Sequence, residues 1–149
     1  MLWNNGRSRY IENSADADGE LMLALYTQFE AGAVTTNSQL FKFEKAEGEN
    51  SYRILSLADN KYMYMSGGSP ASMWTVPAEG EEAPEIFTLE VNSADDQTFN
   101  FAAKNASAER GATLYLNGDG SGSGHDAATV VGWTGAGGNS AYRVMVPTL

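Results

Sequence analysis

Tyr62-Met63-Tyr64-Met65, then Met73-Trp74-Thr75, then Glu85-Ile86-Phe87-Thr88-Leu89-Glu90 form a three-part phrase in the middle of the chain. The phrase occurs twice more, in the same order. Upstream it reads Tyr10-Ile11-Glu12-Asn13, Leu25-Tyr26-Thr27 and Gln39-Leu40-Phe41-Lys42-Phe43-Glu44. Downstream it reads Tyr115-Leu116-Asn117-Gly118, Gly132-Trp133-Thr134 and Ser140-Ala141-Tyr142-Arg143-Val144-Met145. Each recurrence lies about fifty residues after the last, which marks an internal repeat of one supersecondary unit.

Around these phrases the chain reads as short strands. Phe41-Lys42-Phe43-Glu44, Tyr52-Arg53-Ile54, Phe87-Thr88-Leu89-Glu90-Val91 and Tyr142-Arg143-Val144-Met145-Val146 alternate apolar and polar residues, as half-buried strands do. Leu21–Tyr26 is apolar and too short to separate strand from helical turn by period. Its counterparts Ser72–Val76 and Thr129–Trp133 are rich in β-branched and aromatic residues, which favours strand. Leu2-Trp3 stands to Tyr10 as Ile54 stands to Tyr62, so it opens copy one; Phe99-Asn100-Phe101 opens copy three. Glu47-Gly48-Glu49-Asn50 reads as a hairpin turn, and 66–70 and 77–84 as loops. Lys104 to Gly111 is an insertion with room for one helical turn.

The pattern predicts roughly twelve short strands in three groups of four, hence an all-β fold. One four-stranded unit cannot bury its apolar face alone, whereas three around a pseudo-axis share a core. The expected architecture is a β-trefoil in a single domain, 1–149, with repeats at about 1–51, 52–97 and 98–149. A β-sandwich is the alternative, but it supplies no reason for three copies. Phe41, Phe43, Phe87, Leu89, Tyr142 and Val144 are the expected core, with Tyr10, Tyr62 and Tyr115 structural beside them.

The 149 residues include nine basic and nineteen acidic side chains, for a net charge of −10. Such a surface repels phosphate backbones and anionic bilayers, so neither nucleic acid nor a membrane is expected as a partner. Neutral ligands, cations and basic proteins remain. There is no cysteine, which removes disulfides and thiol chemistry. No basic and apolar leader pattern opens the sequence.

The repeats resemble those of the ricin-type β-trefoil lectin family, whose unit ends in Gln-x-Trp. Copy one has Gln39-Leu40-Phe41, copy two Glu85-Ile86-Phe87 and copy three Ser140-Ala141-Tyr142. The resemblance implies a sugar pocket built from an acidic residue on the second strand, an aromatic on the third, and an Asn/Gln pair before the fourth. By position Glu12, Tyr64 and Asn117 fall on the acidic site, and Tyr26, Trp74 and Trp133 on the aromatic site. Ser38-Gln39, Pro84-Glu85 and Asn139-Ser140 fall near the polar pair. Copy one alone keeps an acid, an aromatic and a glutamine together. The implied function is carbohydrate binding by a non-catalytic module of a larger extracellular or cell-surface protein.

Physically, a sugar ring needs a flat aromatic platform and a few convergent polar groups. The plain alternative is that Tyr26, Trp74 and Trp133 fill the core. Trp133 departs from it most, because it lies between a Gly-rich loop carrying Asn117, Asp119 and Asp126 and another carrying Asn139. Copy three (Asn117, Asp119, Trp133, Asn139) therefore ranks first as a binding site, copy one (Glu12, Tyr26, Gln39) second, and Trp74 marks copy two.

Asp16-Ala17-Asp18-Gly19-Glu20 and Asn117-Gly118-Asp119 space oxygen donors as calcium loops do, but neither has the distal bidentate glutamate, so both read as solvated turns. His125 is the single histidine and sits in a Gly loop, without the fixed neighbours a catalytic array requires. No enzyme activity, metal or cofactor is expected. The competing function is a protein-interaction or structural trefoil with decayed sugar pockets, motivated by the loss of Gln-x-Trp in every copy.

Overall fold

The computed structural model describes residues 1–15, 21–26, 37–69, 71–119 and 129–147, with backbone alone for 14–15 and 21–26. Copy one contributes β1 (Leu2–Asn4), β2 (Arg9–Ala15), β3 (Leu21–Tyr26) and β4 (Phe41–Lys45). Copy two contributes β5 (Ser51–Ser56), β6 (Lys61–Met65), β7 (Ala71–Val76) and β8 (Phe87–Ser93). Copy three contributes β9 (Thr98–Ala103), helix α1 (Lys104–Arg110), β10 (Leu114–Asp119), β11 (Thr129–Trp133) and β12 (Tyr142–Val144).

Strand pairing repeats the threefold pattern, and every pair is antiparallel. The hairpins β4–β5 and β8–β9 have their third counterpart in β12–β1, where Leu2 stands opposite Val144 and the two end strands close the barrel. Pairs β1–β2, β5–β6 and β9–β10 lead out of the barrel into hairpins β2–β3, β6–β7 and β10–β11. Strands β3, β7 and β11 then pair with one another in all three combinations and cap one end. This is the β-trefoil expected from the repeats, and it excludes two stacked sheets.

Backbone strain falls at equivalent positions as well. Ser8 and Asn60, each just before the second strand of its copy, have φ of 53° and 58°. Asn50 and Gln97, each just before the first strand, have φ of 50° and 56°. Non-glycine residues rarely enter this left-handed region except in tight turns, so the same turn chemistry is used in successive copies. In copy three the β1–β2 type of turn is replaced by α1, a seven-residue helix closed by Gly111 at φ 74°, whose N–H donates to the Ser107 carbonyl at 2.9 Å.

Side chains on a strand alternate between faces, and the core takes one face from each copy. Leu2, Ile11, Ile54, Met63, Met65, Phe87, Phe101, Leu114, Leu116 and Tyr142 are all fully buried in one cluster. Tyr62, Tyr64 and Tyr115 occupy the opposite register and are half-buried. Phe87 and Tyr142 are at the centre as expected; Phe41, Phe43 and Leu89 are half-buried and pack against it. Val144, expected in the core, is 40% exposed. It is the last residue of a three-residue strand, so its alternation carries it past the rim of the barrel. Methionines 63 and 65 supply much of the centre, where unbranched side chains fill space that three imperfect copies leave irregular. No helix among the described residues is long and apolar enough to cross a membrane.

Candidate functional site

The three hairpins carry equivalent positions, and the register identifies them. Tyr10 pairs with Tyr26, and Tyr115 with Trp133. Tyr62, however, pairs with Val76, while Trp74 stands opposite Tyr64. The cap pairs agree: Ala24 opposite Thr129, Val131 opposite Ser72, and Trp74 opposite Met22. Both sets make Trp74 the counterpart of Ala24 and Val131, and Val76 the counterpart of Tyr26 and Trp133. The alignment of Trp74 with Tyr26 and Trp133 is thus corrected by two residues. Copy two has a buried valine at the position of the platform.

Copy three gathers what the sequence proposed for it. Asn117, Asp119, Trp133 and Asn139 line one groove of about 610 Å³, together with Arg7, Ser69, Arg110 and Thr134. Trp133 is 60% exposed. It is the last residue of β11, and the chain turns immediately into the loop containing Gly135. A Cβ at Gly135 would lie 3.2 Å from both Cδ1 and Nε1 of Trp133, so the indole lies along glycine backbone. An exposed aromatic whose edge is held this way is a preset platform.

Under the platform is a chain of buried and part-buried hydrogen bonds. The Asn117 side-chain amide donates to the Ser140 hydroxyl at 2.8 Å, and that hydroxyl donates to the Gly135 carbonyl at 2.9 Å. Asn4 donates to the Asn139 carbonyl at 2.8 Å, and Asn100 to the Ser140 carbonyl at 2.8 Å. These contacts fix the 3₁₀ turn Gly138–Ser140 against β10 and set the height of the Asn139 side chain. Gly132 permits the close approach of β11 to β7: a Cβ there would come within 2.6 Å of Met65 Sδ and 2.8 Å of Ala71 Cβ.

Two arginines border the groove, and the sequence reading missed both. Arg7, in the β1–β2 turn, donates its Nε to the Gly118 carbonyl at 3.0 Å. Arg110, at the end of α1, donates its Nε to the Gly67 carbonyl at 3.0 Å and a terminal N–H to the Gly68 carbonyl. The signal available for Arg110 was that the insertion containing it occurs in one copy only.

The remaining candidates are dispersed. In copy one, Glu12 is half-buried and accepts from the Ser38 hydroxyl at 3.1 Å, while Gln39 is buried in the 3₁₀ turn Asn37–Gln39. The Tyr26 side chain lies outside the described residues. In copy two, the Trp74 and Tyr64 rings are 4.7 Å apart at 46°, and Trp74 Nε1 donates to Glu82 at 3.1 Å. Burial and then Glu82, Glu109 and Glu85 push the Tyr64 hydroxyl above its ordinary range. Positions 39, 85 and 140 are buried in all three copies. Glu85 uses its burial to cap α1: one carboxylate oxygen accepts from the Asn105 N–H at 2.7 Å, the other from Ala106 at 2.9 Å. The polar residue of the degenerate signature therefore braces the turn before the fourth strand. The acidic loop 16–20, His125 and Asp126 lie outside the described residues. Among the described residues no three His, Asp or Glu side chains cluster to hold a metal.

Neither a scan against protein-family models nor a search of curated proteins gives a match. Solved structures do. A designed threefold-symmetric protein, ThreeFoil, has a TM-score of 0.70 at 14% identity, over 95% of this chain and 94% of that one. A BEL beta-trefoil in an apo crystal form has a TM-score of 0.69 at 15% identity, over 96% and 88%. A Caenorhabditis elegans protein of unknown function has a TM-score of 0.68 at 12% identity, over 97% and 90%. At these identities what is shared is the fold, and the chain is a β-trefoil.

Proposed function

We propose that this chain is a non-catalytic carbohydrate-binding module, part of a larger extracellular or surface protein, whose sugar site is the copy-three groove. The observation that carries the reading is Trp133: a large aromatic, 60% exposed, seated on Gly135 and bordered by Asn117, Asp119 and Asn139. An exposed indole keeps in reserve the burial free energy that a ligand covering it would release, and a pyranose presents the matching apolar C–H face. Amide and carboxylate groups around the ring then address hydroxyls. The resemblance to ricin-type repeats supports the same reading.

Calorimetric titration with monosaccharides, preceded by a glycan array, tests it. Binding that Trp133→Ala removes and Trp74→Ala leaves intact is the expected result. No binding to any glycan overturns the reading.

A second reading, a protein-interaction trefoil, is favoured by one observation. Val91, Val144, Met145 and Val146 are 68%, 40%, 38% and 91% exposed, and the first three line a separate hollow with Phe99 beside the β8–β9 turn. Exposed apolar side chains gathered in one hollow, rimmed by polar residues such as Asp95, Asp96 and Arg143, mark protein contacts. It is the reading that stands if the glycan titrations are blank and Val91→Asp abolishes capture of a protein partner.

A further inference from the structure

The copy-three groove differs from its two counterparts by an added piece of chain. Copies one and two join their first and second strands by the short turns 5–8 and 57–60. Copy three inserts α1 and the segment to Thr113, and the end of that helix delivers Arg110 to the groove wall. The delivery is specific. The carbonyls of Gly67 and Gly68, from the β6–β7 loop of copy two, take two of its N–H groups. Gly67 has no side chain for a reason: a Cβ there would collide with Glu109 of α1 at 2.5 Å. The helix and the loop are therefore fitted to each other, and Arg110 is locked where they meet.

A guanidinium has five N–H donors in a planar fork. Those not given to Gly67 and Gly68 still need acceptors. Among the described residues the ion pair present is Lys42–Glu44, so Arg110 has only neutral carbonyls as described partners. Among the described residues lining the groove, Arg110 is a guanidinium held by neutral carbonyls, on a chain whose net charge is −10. Glu109, the carboxylate next to Arg110, packs along Gly67 and is not part of the lining. A guanidinium with neutral partners in the same groove as an exposed indole, on an otherwise acidic protein, is an arrangement for an anionic ring with an apolar face.

We propose that the groove selects an acidic sugar: a pyranose carrying a carboxylate, stacked on Trp133 with its carboxylate on the guanidinium of Arg110. Asp119 and Asn139 address its hydroxyls, and Asn117 braces the floor beneath them. This rests on the sugar-binding reading of the same groove and adds the substrate class. The pairing is a charge-assisted, partly exposed one, so it is sensitive to salt.

The test compares galacturonic acid with galactose, and glucuronic acid with glucose, by calorimetry on the intact chain, with galactose 6-sulfate as a third arm. The acidic sugars should bind about tenfold more tightly than their neutral partners, the usual return of one good charge-assisted pair. That preference should collapse at about 1 M salt, where screening acts within roughly 3 Å. Arg110→Gln should bring the two classes to equal affinity while Trp133→Ala weakens both. Should Arg110→Gln fail to fold, the salt dependence of the wild-type ratio decides the matter. Neutral and acidic sugars binding equally overturns the proposal and leaves the carbohydrate reading standing. A sulfated sugar preferred over the carboxylate overturns the carboxylate assignment, and no binding by any of them overturns both readings.

Discussion

Asn117 and Ser140 are joined by a buried 2.8 Å hydrogen bond across 23 residues of chain, and the groove rests on it. Ser140 is simultaneously a donor to the Gly135 carbonyl, so one hydroxyl ties β10 to the loop under Trp133. Ser140→Ala should leave the buried Asn117 amide and the Gly135 carbonyl each without this partner. A loss of about 1–3 kcal/mol is expected, the range for an unsatisfied buried polar group. Urea unfolding measures it, and the near-ultraviolet signal of Trp133 should change in the same variant.

Glu85 should be worth more than its exposed acidic neighbours in 79–82. Its carboxylate receives backbone N–H groups from Ile86, Asn105 and Ala106, so it anchors both the turn before β8 and the start of α1. Glu85→Ala should destabilise the fold by about 1–3 kcal/mol through the lost cap and the orphaned donors. Glu81→Ala, an exposed control, should change stability by less than about 0.5 kcal/mol. Equal effects in the two variants would remove Glu85 from this role.

Gly132→Ala tests the close contact in the cap. The new methyl meets Met65 Sδ, which can swing away, and Ala71 Cβ, which cannot. Overpacking of this kind costs about 1–3 kcal/mol. Ala71→Gly in the same molecule should recover part of the loss, a coupling that a double-mutant cycle reads directly.

The threefold fold was legible because its signals are local and repeated. Tyr10, Tyr62 and Tyr115 each open a second strand, and turns of the same kind precede equivalent strands in copies one and two. The exposure of Trp133 was legible from the glycine and polar residues on either side. The place of Trp74 was not, because the hairpins of the second and third strands differ in overall length, and the strand pairings, Tyr62–Val76 among them, reveal the slip of two residues. Arg7, Arg110 and the Glu85 cap were illegible for a different reason. Each acts on a partner far away in the chain, Gly118, Gly67 and Ala106 respectively, and no spacing rule links them.

Glu44 offers a titration check on the surface network. The Tyr62 hydroxyl donates to it at 2.7 Å and Lys42 lies 3.0 Å away, so its carboxyl is held below the ordinary carboxylate range, first by the tyrosine bond and then by the lysine. A depressed folded value means a contribution present above the ordinary carboxylate range and lost as pH falls through the folded value. A carbon-detected NMR titration should place Glu44 below the ordinary carboxylate range, and Tyr62→Phe should move it upward. No movement in that variant would contradict the assignment of cause.

The copy-three site is tested most directly by a titration of the 15N-labelled chain with galacturonic acid, followed at the three tryptophan indole N–H signals and the asparagine side-chain amides. Trp133, Asn117 and Asn139 should shift together and saturate at one affinity, while Trp3 and Trp74 stay in place. Shifts confined to Trp74, or to the apolar hollow around Val91 and Phe99, would contradict it.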